Sequence, residues 1–367
     1  MKIGIDLRMA GGGSGIDRYI TELTQQILTQ DKTNSYVLFF LDEKNAEKYR
    51  HFGHKCIVTN IRHYSLAEQV KLPAILNKEK LDLMHFPHFN LPVFYTKPFV
   101  VTIHDLTHTL FPGKKKSHFF HRLAYHLVLN SAIRHSQKII AVSESTKKQI
   151  VDRFGVVADK IIVVYEGYNQ AYKMIHKAEA FVQVSQKFGI TKPYILYVGV
   201  WRRYKNLPML AKSFDKLKDQ GLDYELVLAG EPDKFYPEIE KEVLSIKYKA
   251  DLKALGRLSD EDLNLLYNGA TLFVLPSLME GFGLTALEAA ATGTPIACSD
   301  IPTLREVLGL AAAYFDPNNL DNMTDVLSGL LKKPQRLHEV GNLALQRSTF
   351  FSWKKTAAET IKLYQSI

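Results

Sequence analysis

Thirteen short apolar runs recur along the 367 residues, most of them followed by a stretch with helical spacing, and this alternation constrains the fold more than any other feature. The runs are 2–7, 36–41, 56–59, 82–86, 99–103, 138–142 and 161–164, then 194–198, 224–229, 252–255, 271–275, 295–298 and 312–315. Unbroken apolar runs predict strands buried on both faces. Helices between them predict parallel neighbours, because a parallel pair needs a long crossover. The expected class is α/β, with doubly wound parallel sheets. One seam interrupts the series: "YEGYNQAYKMIHKAEAFVQVSQKFGITKP", residues 165–193, has little strand pattern and ends at Pro193. A chain this long also exceeds the size at which one core stops growing. Two domains are therefore expected, residues 1–170 and 171–352, with ligands beyond the carboxyl ends of both strand sets, at a cleft between them.

The first strand runs into "MAGGGSGIDRY", where Gly11, Gly12, Gly13 and Gly15 join it to a helix. Such a junction can hold an anion on backbone N–H groups. Two nucleotide motifs fail here. A G-x-G-x-x-G counted from Gly11 would need a third glycine where Ile16 stands, and no Gly-Lys-Ser/Thr ends a P-loop. A plain flexible turn is the competing reading.

The net charge of +9 is uneven: residues 1–180 hold 25 Lys and Arg against 16 Asp and Glu, and the remainder is balanced. Within residues 51–150 the count is 14 basic to 5 acidic, with 11 of the 13 histidines between His51 and His135. This points to an anionic partner or to a solvated basic surface. Nucleic acid is not expected, because no recognised binding module accompanies the charge. No apolar run is long enough to span a membrane, no signal peptide is expected because the chain goes straight into a strand, and Cys56 and Cys298 suggest neither disulfide nor metal site. The expected location is cytoplasmic.

The chemistry concentrates in "TLFVLPSLMEGFGLTALEAAATGTPIACSD", residues 271–300. A strand leads to Glu280 and Gly281-Phe282-Gly283, then to a helix from about Leu284 to Thr292, closed by Gly293. The helix start suits a phosphate, with Glu280 at its mouth and Glu288 deeper, where carboxylates can accept hydrogen bonds from sugar hydroxyls. A helix-starting acid followed by a solvated glutamate is the alternative.

"EGFGLTALEAAATGTPIACSD" resembles the E-x7-E signature of retaining glycosyltransferase family 4, whose members have two Rossmann-like domains, the GT-B fold. The resemblance extends through the Gly-rich turn, "VVTIHDLTH", "VYEGYN", "YVGVWRRYKNL", "GRLSDEDLNLLYNGA" and "FSWKKTAAETIKLY". It implies that residues 1–170 bind the acceptor, that 171–352 bind a nucleotide-sugar donor, and that a final helix, 353–367, packs back on the first domain. It also implies that Glu280 contacts the donor sugar and Glu288 the ribose. Gly281, Phe282, Gly283, Leu284 and Thr285 would line the sugar and diphosphate, with Arg257 and, from the first domain, Gly12, Gly13 and Gly15 nearby. Lys205 takes the basic place beside the diphosphate. Its usual arginine neighbour is Tyr204 here, so Arg202 is assigned that role. Thr285 stands where proline is common. His104 would lie near the reacting sugar.

Two metal patterns are set aside. His104 and His108 stand at i, i+4 without a third ligand, and Asp260-Glu261-Asp262 follows Ser259 as a capped helix start. No cofactor or metal is expected. The implied reaction moves a hexose to a glycan or lipid-linked acceptor in surface polysaccharide assembly, with retention and with the leaving phosphate taking the acceptor proton. A double-displacement enzyme would instead need two carboxylates about 5 Å apart across the bond. "IDLRMAGGGSGIDRYITEL" and "HFPHFNLP" resemble the mannosyl- and rhamnosyltransferase branch, which makes GDP-mannose the first donor expected and UDP-glucose or UDP-N-acetylglucosamine the alternatives. A phosphorylase-like enzyme or a non-catalytic sugar-nucleotide or glycan-binding protein on the same scaffold is the reading of another class. Residues 113–138 mix Lys, Arg and His with Phe, Leu and Tyr, a pattern suited to peripheral binding on an anionic membrane surface, or to an ordinary helix whose apolar side is core.

Overall fold

The structure, a computed structural model, describes residues 1–13, 15–111 and 119–367, the side chains of 108, 110 and 119–121 excepted. The chain divides into two units, Met1–Gly167 with Ser352–Ile367, and Tyr168–Phe351.

The first unit is built on seven strands: β1 (Lys2–Asp6), β2 (Ser35–Phe40), β3 (Lys55–Val58), β4 (Leu83–Phe86), β5 (Phe99–Ile103), β6 (Lys138–Ala141) and β7 (Ile161–Val163). Their order is β3-β2-β1-β4-β5-β6-β7. Six strands build the second: β8 (Tyr194–Val198), β9 (Glu225–Ala229), β10 (Leu252–Gly256), β11 (Leu272–Leu275), β12 (Ile296–Ser299) and β13 (Ala313–Phe315), in the order β10-β9-β8-β11-β12-β13. Every pairing within both sheets is parallel. All thirteen strands fall within one residue of the runs expected from the sequence. Burial explains why: each position of β5 and of β8 is buried, so both faces carry mostly apolar side chains, and the hydroxyl of Thr102 in β5 is hydrogen-bonded.

The C-terminal helix, Trp353–Gln365, belongs to the first unit. It packs along the first helix, Gly15–Gln30, where the Trp353 and Tyr19 rings meet edge to face at 5.8 Å. Thr356 Oγ1 donates to the Tyr165 carbonyl at 2.7 Å. Gly167 makes this approach possible, since a Cβ there would lie 2.1 Å from Trp353 N. Deeper in, a buried polar chain links the helix to the sheet: the Tyr364 hydroxyl is 2.6 Å from His85 Nδ1, His85 Nε2 is 2.9 Å from Thr102 Oγ1, and Thr102 is 3.1 Å from the Tyr19 hydroxyl. Each polar atom in this chain has a partner, as burial demands.

The methyl group added by Gly167→Ala collides with backbone rather than with a movable side chain, so the helix must shift. Its unfolding midpoint should fall by roughly 5–10 °C. Gly329→Ala, where the new methyl meets nothing within 4 Å, should leave the midpoint unchanged or slightly raised; thermal denaturation of both variants checks this.

Candidate active site

In the second unit, β11 feeds a loop that ends at Gly283, which has φ +94° and forms the N-cap of the helix Leu284–Ala291. A side chain at 283 would be strained there, and its Cβ would sit 2.8 Å from Leu304 Cδ2. No described side chain caps this helix. Its first N–H groups therefore have no partner within the helix, and they carry the positive end of its dipole. Leu284 and Thr285 are partly exposed at that start, whereas Gly281 and Phe282 are buried, the Phe282 ring meeting Phe351 at 5.6 Å.

Beside the helix start, Lys205 Nζ lies 2.7 Å from Glu280 Oε1, with side chains only 15% and 11% exposed. Two backbone contacts fix this pair. Leu278 N donates to the Tyr204 carbonyl at 2.7 Å, stitching the loop after β8 to the loop after β11, and Thr303 Oγ1 donates to the Glu280 carbonyl at 2.9 Å. Glu288 lies one turn inside the helix, buried, where its Oε2 accepts from the Tyr267 hydroxyl at 3.0 Å. Arg202 differs from expectation in its company: its Nε is committed to Asp233 Oδ2 at 2.8 Å. Arg257 is exposed after β10. Three polar atoms not singled out by sequence motifs are buried with no hydrogen-bond partner among the described residues, at or beyond the carboxyl ends of β8, β11 and β12: Trp201 Nε1, Ser277 Oγ and Ser299 Oγ. Buried orphan groups of this kind call for a further partner. The triplet Asp260-Glu261-Asp262 is a helix start, with Asp262 N donating to Ser259 Oγ at 3.2 Å and Asp260 accepting from Tyr172 at 2.9 Å.

In the first unit the Gly-rich loop is latched internally. Gly11 N and Gly13 N donate to the two Asp17 carboxylate oxygens at 2.7 and 2.6 Å. An anion already holds the Gly13 amide that the sequence reading offers to a donor; Gly12 is exposed and Gly15 begins the first helix. Just before the loop, Arg8 is buried and paired with both Asp6 and Glu68 at 2.7 Å.

His104 follows β5. Its Nε2 is 2.9 Å from the Pro87 carbonyl and its Nδ1 is 3.1 Å from Glu166 Oε1. Burial alone would lower its pKa, but the Glu166 hydrogen bond and charge, the Pro87 carbonyl and Asp105 outweigh burial and raise it above the usual value. The side chain of His108 lies outside the described residues, among which no group of three or more His, Cys, Asp or Glu gathers as a metal site.

Comparison with known proteins agrees with this architecture. The family model described as Glycosyltransferase Family 4 matches residues 13–172, and that described as Glycosyl transferases group 1 matches residues 179–347. The chain belongs to glycosyltransferase family 4. This transferase is 27% identical over 374 residues to the O-antigen chain mannosyltransferase B of Escherichia coli, covering 96% of each chain. It is 25% identical over 255 residues to the O-antigen chain mannosyltransferase RfbU of Salmonella typhimurium, covering 70% of this chain and 66% of that one. Sucrose-phosphate synthase from Thermosynechococcus elongatus superposes with a TM-score of 0.82 at 19% identity, over 100% of this chain and 98% of that one, which establishes the GT-B fold.

Two residues of this transferase, Glu166 and Asp17, were invisible to motif reading. Glu166 stands in "VYEGYN", a match with no assigned role, and Asp17 is an ordinary first-turn acid until its contacts are seen.

His85 and His104 act on stability in opposite pH windows. Burial, reinforced by the charge of His104, lowers His85 to about 3. Its folded pKa thus lies below the unfolded value near 6.5, so its contribution is present above pH 6.5 and is lost as pH falls below that. His104, raised, contributes fully below pH 6.5 and loses that contribution as pH rises through its folded pKa. The stability of this transferase against denaturant should therefore fall between pH 6.5 and 4.5 by up to about 1.4 kcal/mol per pH unit from His85 alone. His85→Gln should flatten that slope.

Proposed function

We propose that this transferase moves mannose from GDP-mannose to a glycan or lipid-linked acceptor during assembly of a cell-surface polysaccharide, with retention at the anomeric carbon. The observation that carries the reading is the Lys205–Glu280 pair at the uncapped start of Leu284–Ala291. On this reading a donor exchanges that internal pairing for its own: Lys205 moves to the diphosphate and Glu280 accepts from sugar hydroxyls. Lys205, Arg202 and the helix N-terminus then stabilise the charge that develops on the leaving diphosphate, without metal. Glu288 accepts from the ribose. The departing phosphate takes the acceptor proton on the face it leaves. The second unit is the donor side and the first the acceptor side, where His104 serves the transferred sugar. Mannose as the sugar is supported by the names of the relatives in Escherichia coli and Salmonella typhimurium.

Peripheral binding to an anionic membrane has its own support. In the helix Phe119–His135, Leu123 and Leu127 are exposed on the side opposite buried Leu129, Ala132 and Ile133. Leu66 and Val70 of another helix, Leu66–Val70, are also exposed, with Phe94. Gln69 joins that helix to the neighbouring segment, donating to the Leu91 carbonyl and accepting from Val93 N. Residues 112–118, which hold the lysine run, lie outside the described residues. No described helix is long and apolar enough to cross a membrane.

A donor-hydrolysis screen with GDP-mannose, UDP-glucose and UDP-N-acetylglucosamine, run with EDTA present, tests the donor. GDP-mannose should be consumed fastest, and Lys205→Ala should lower kcat by on the order of 10²-fold; no binding or turnover of any GDP-sugar would end the mannose reading. Flotation tests the membrane reading. The protein should rise with anionic liposomes at low salt and be released by high salt, and Leu123→Glu with Leu127→Glu should lower the floated fraction. Absence of flotation at low salt would remove the membrane from the proposal.

A further inference from the structure

Three histidines come together in the first unit, and their partners fix where the protons are. His88 Nδ1 accepts from the Asn90 backbone N–H at 3.1 Å, so that nitrogen carries no proton and the ring is neutral. His85 lies between two hydroxyls, Tyr364 and Thr102, either of which can donate or accept, so a neutral ring is fully satisfied. His104 is different. A carbonyl oxygen can only accept, so the nitrogen 2.9 Å from Pro87 O carries a proton; a carboxylate also accepts, so the nitrogen 3.1 Å from Glu166 carries another.

We propose that Glu166 is the positioning residue that holds His104 as a doubly protonated, fixed imidazolium during the transfer, an inference that rests on the transferase reading above. Both N–H groups are spent within the protein. His104 is thereby excluded as a general base: it offers the reacting sugar a charge in fixed orientation. Glu166 is itself buried, and the adjacent Gly167 lies against the Trp353 backbone, which holds the chain segment that carries the carboxylate. Among the described residues no second carboxylate is hydrogen-bonded to the ring, and Asp105 adds its charge from the next position. Tyr19 from the first helix meets it edge to face at 4.5 Å, and neutral His88 lies at 6.3 Å. Asp105 is its chain neighbour and is hydrogen-bonded to Thr107 N. The helix Glu144–Phe154, with Glu144 in its first turn, reaches the His104 carbonyl through Thr146 Oγ1 at 3.3 Å.

Nitrogen-15 NMR of the histidine rings, without substrate, tests the proton assignment directly. In the wild-type protein at pH 7 the His104 ring should show two protonated nitrogens, and a neutral tautomer there would overturn the proposal. Glu166→Gln keeps a hydrogen-bonding partner of the same shape but removes the charge, and should lower the His104 titration midpoint. The alkaline limb of the kcat/KM profile should move down with it by at least about one pH unit, a tenfold change in protonated fraction per unit. An unchanged His104 midpoint, or an activity loss equal at every pH, would also overturn it. A wild-type protein that turns over no nucleotide sugar would count against the transferase reading, while the NMR result would still decide where the proton sits.

Discussion

In both sheets every paired strand runs in the same direction, and the placement of the chemistry depends on that constraint. Parallel strands send all their outgoing loops from one edge, and four of the groups described above leave from such an edge. The glycine turn follows β1, His104 follows β5, Lys205 lies just beyond β8, and Glu280 follows β11. The same constraint buries both faces of the central strands, which leaves those loops as the places where polar side chains can gather without disturbing the core.

Charge in these loops is paired before any substrate is considered. Lys205 holds Glu280, Arg8 holds Asp6 and Glu68, and His104 holds Glu166. A charge taken out of water without a partner is strongly destabilising, so these pairs are conditions for the loops to fold as they do. They also define what a ligand must do. On the reading proposed above, a donor's diphosphate and sugar hydroxyls would compete with the Lys205–Glu280 contact for the atoms that make it. Selectivity then depends on how well the newcomer reproduces the geometry of the pair it replaces.

The strands were legible in the sequence because they are short, largely apolar runs, and β5 and β8 are buried at every position. The start of Leu284–Ala291 and the Ser259 cap were legible because they depend on neighbours three or four residues away. The pairings were not. Glu166 meets His104 across 62 residues, and Arg202 meets Asp233 across 31, so no local pattern marks either contact. Asp17 is closer in sequence, yet its hold on Gly11 and Gly13 depends on the direction in which its side chain points, which spacing does not encode.

The close approach of Gly167 to Ser352 and Trp353 has a consequence for how the protein is made. The first unit needs the Trp353–Gln365 helix to cover the Tyr19 side of its first helix and to complete the polar chain at His85. Between Gly167 and Ser352 the ribosome must produce the whole second unit. The strands of the first unit thus emerge long before the helix that finishes them. Until then the apolar flank of Gly15–Gln30 stays open to chaperones or to other nascent chains, while the second unit has all its own strands in one continuous stretch and can close first.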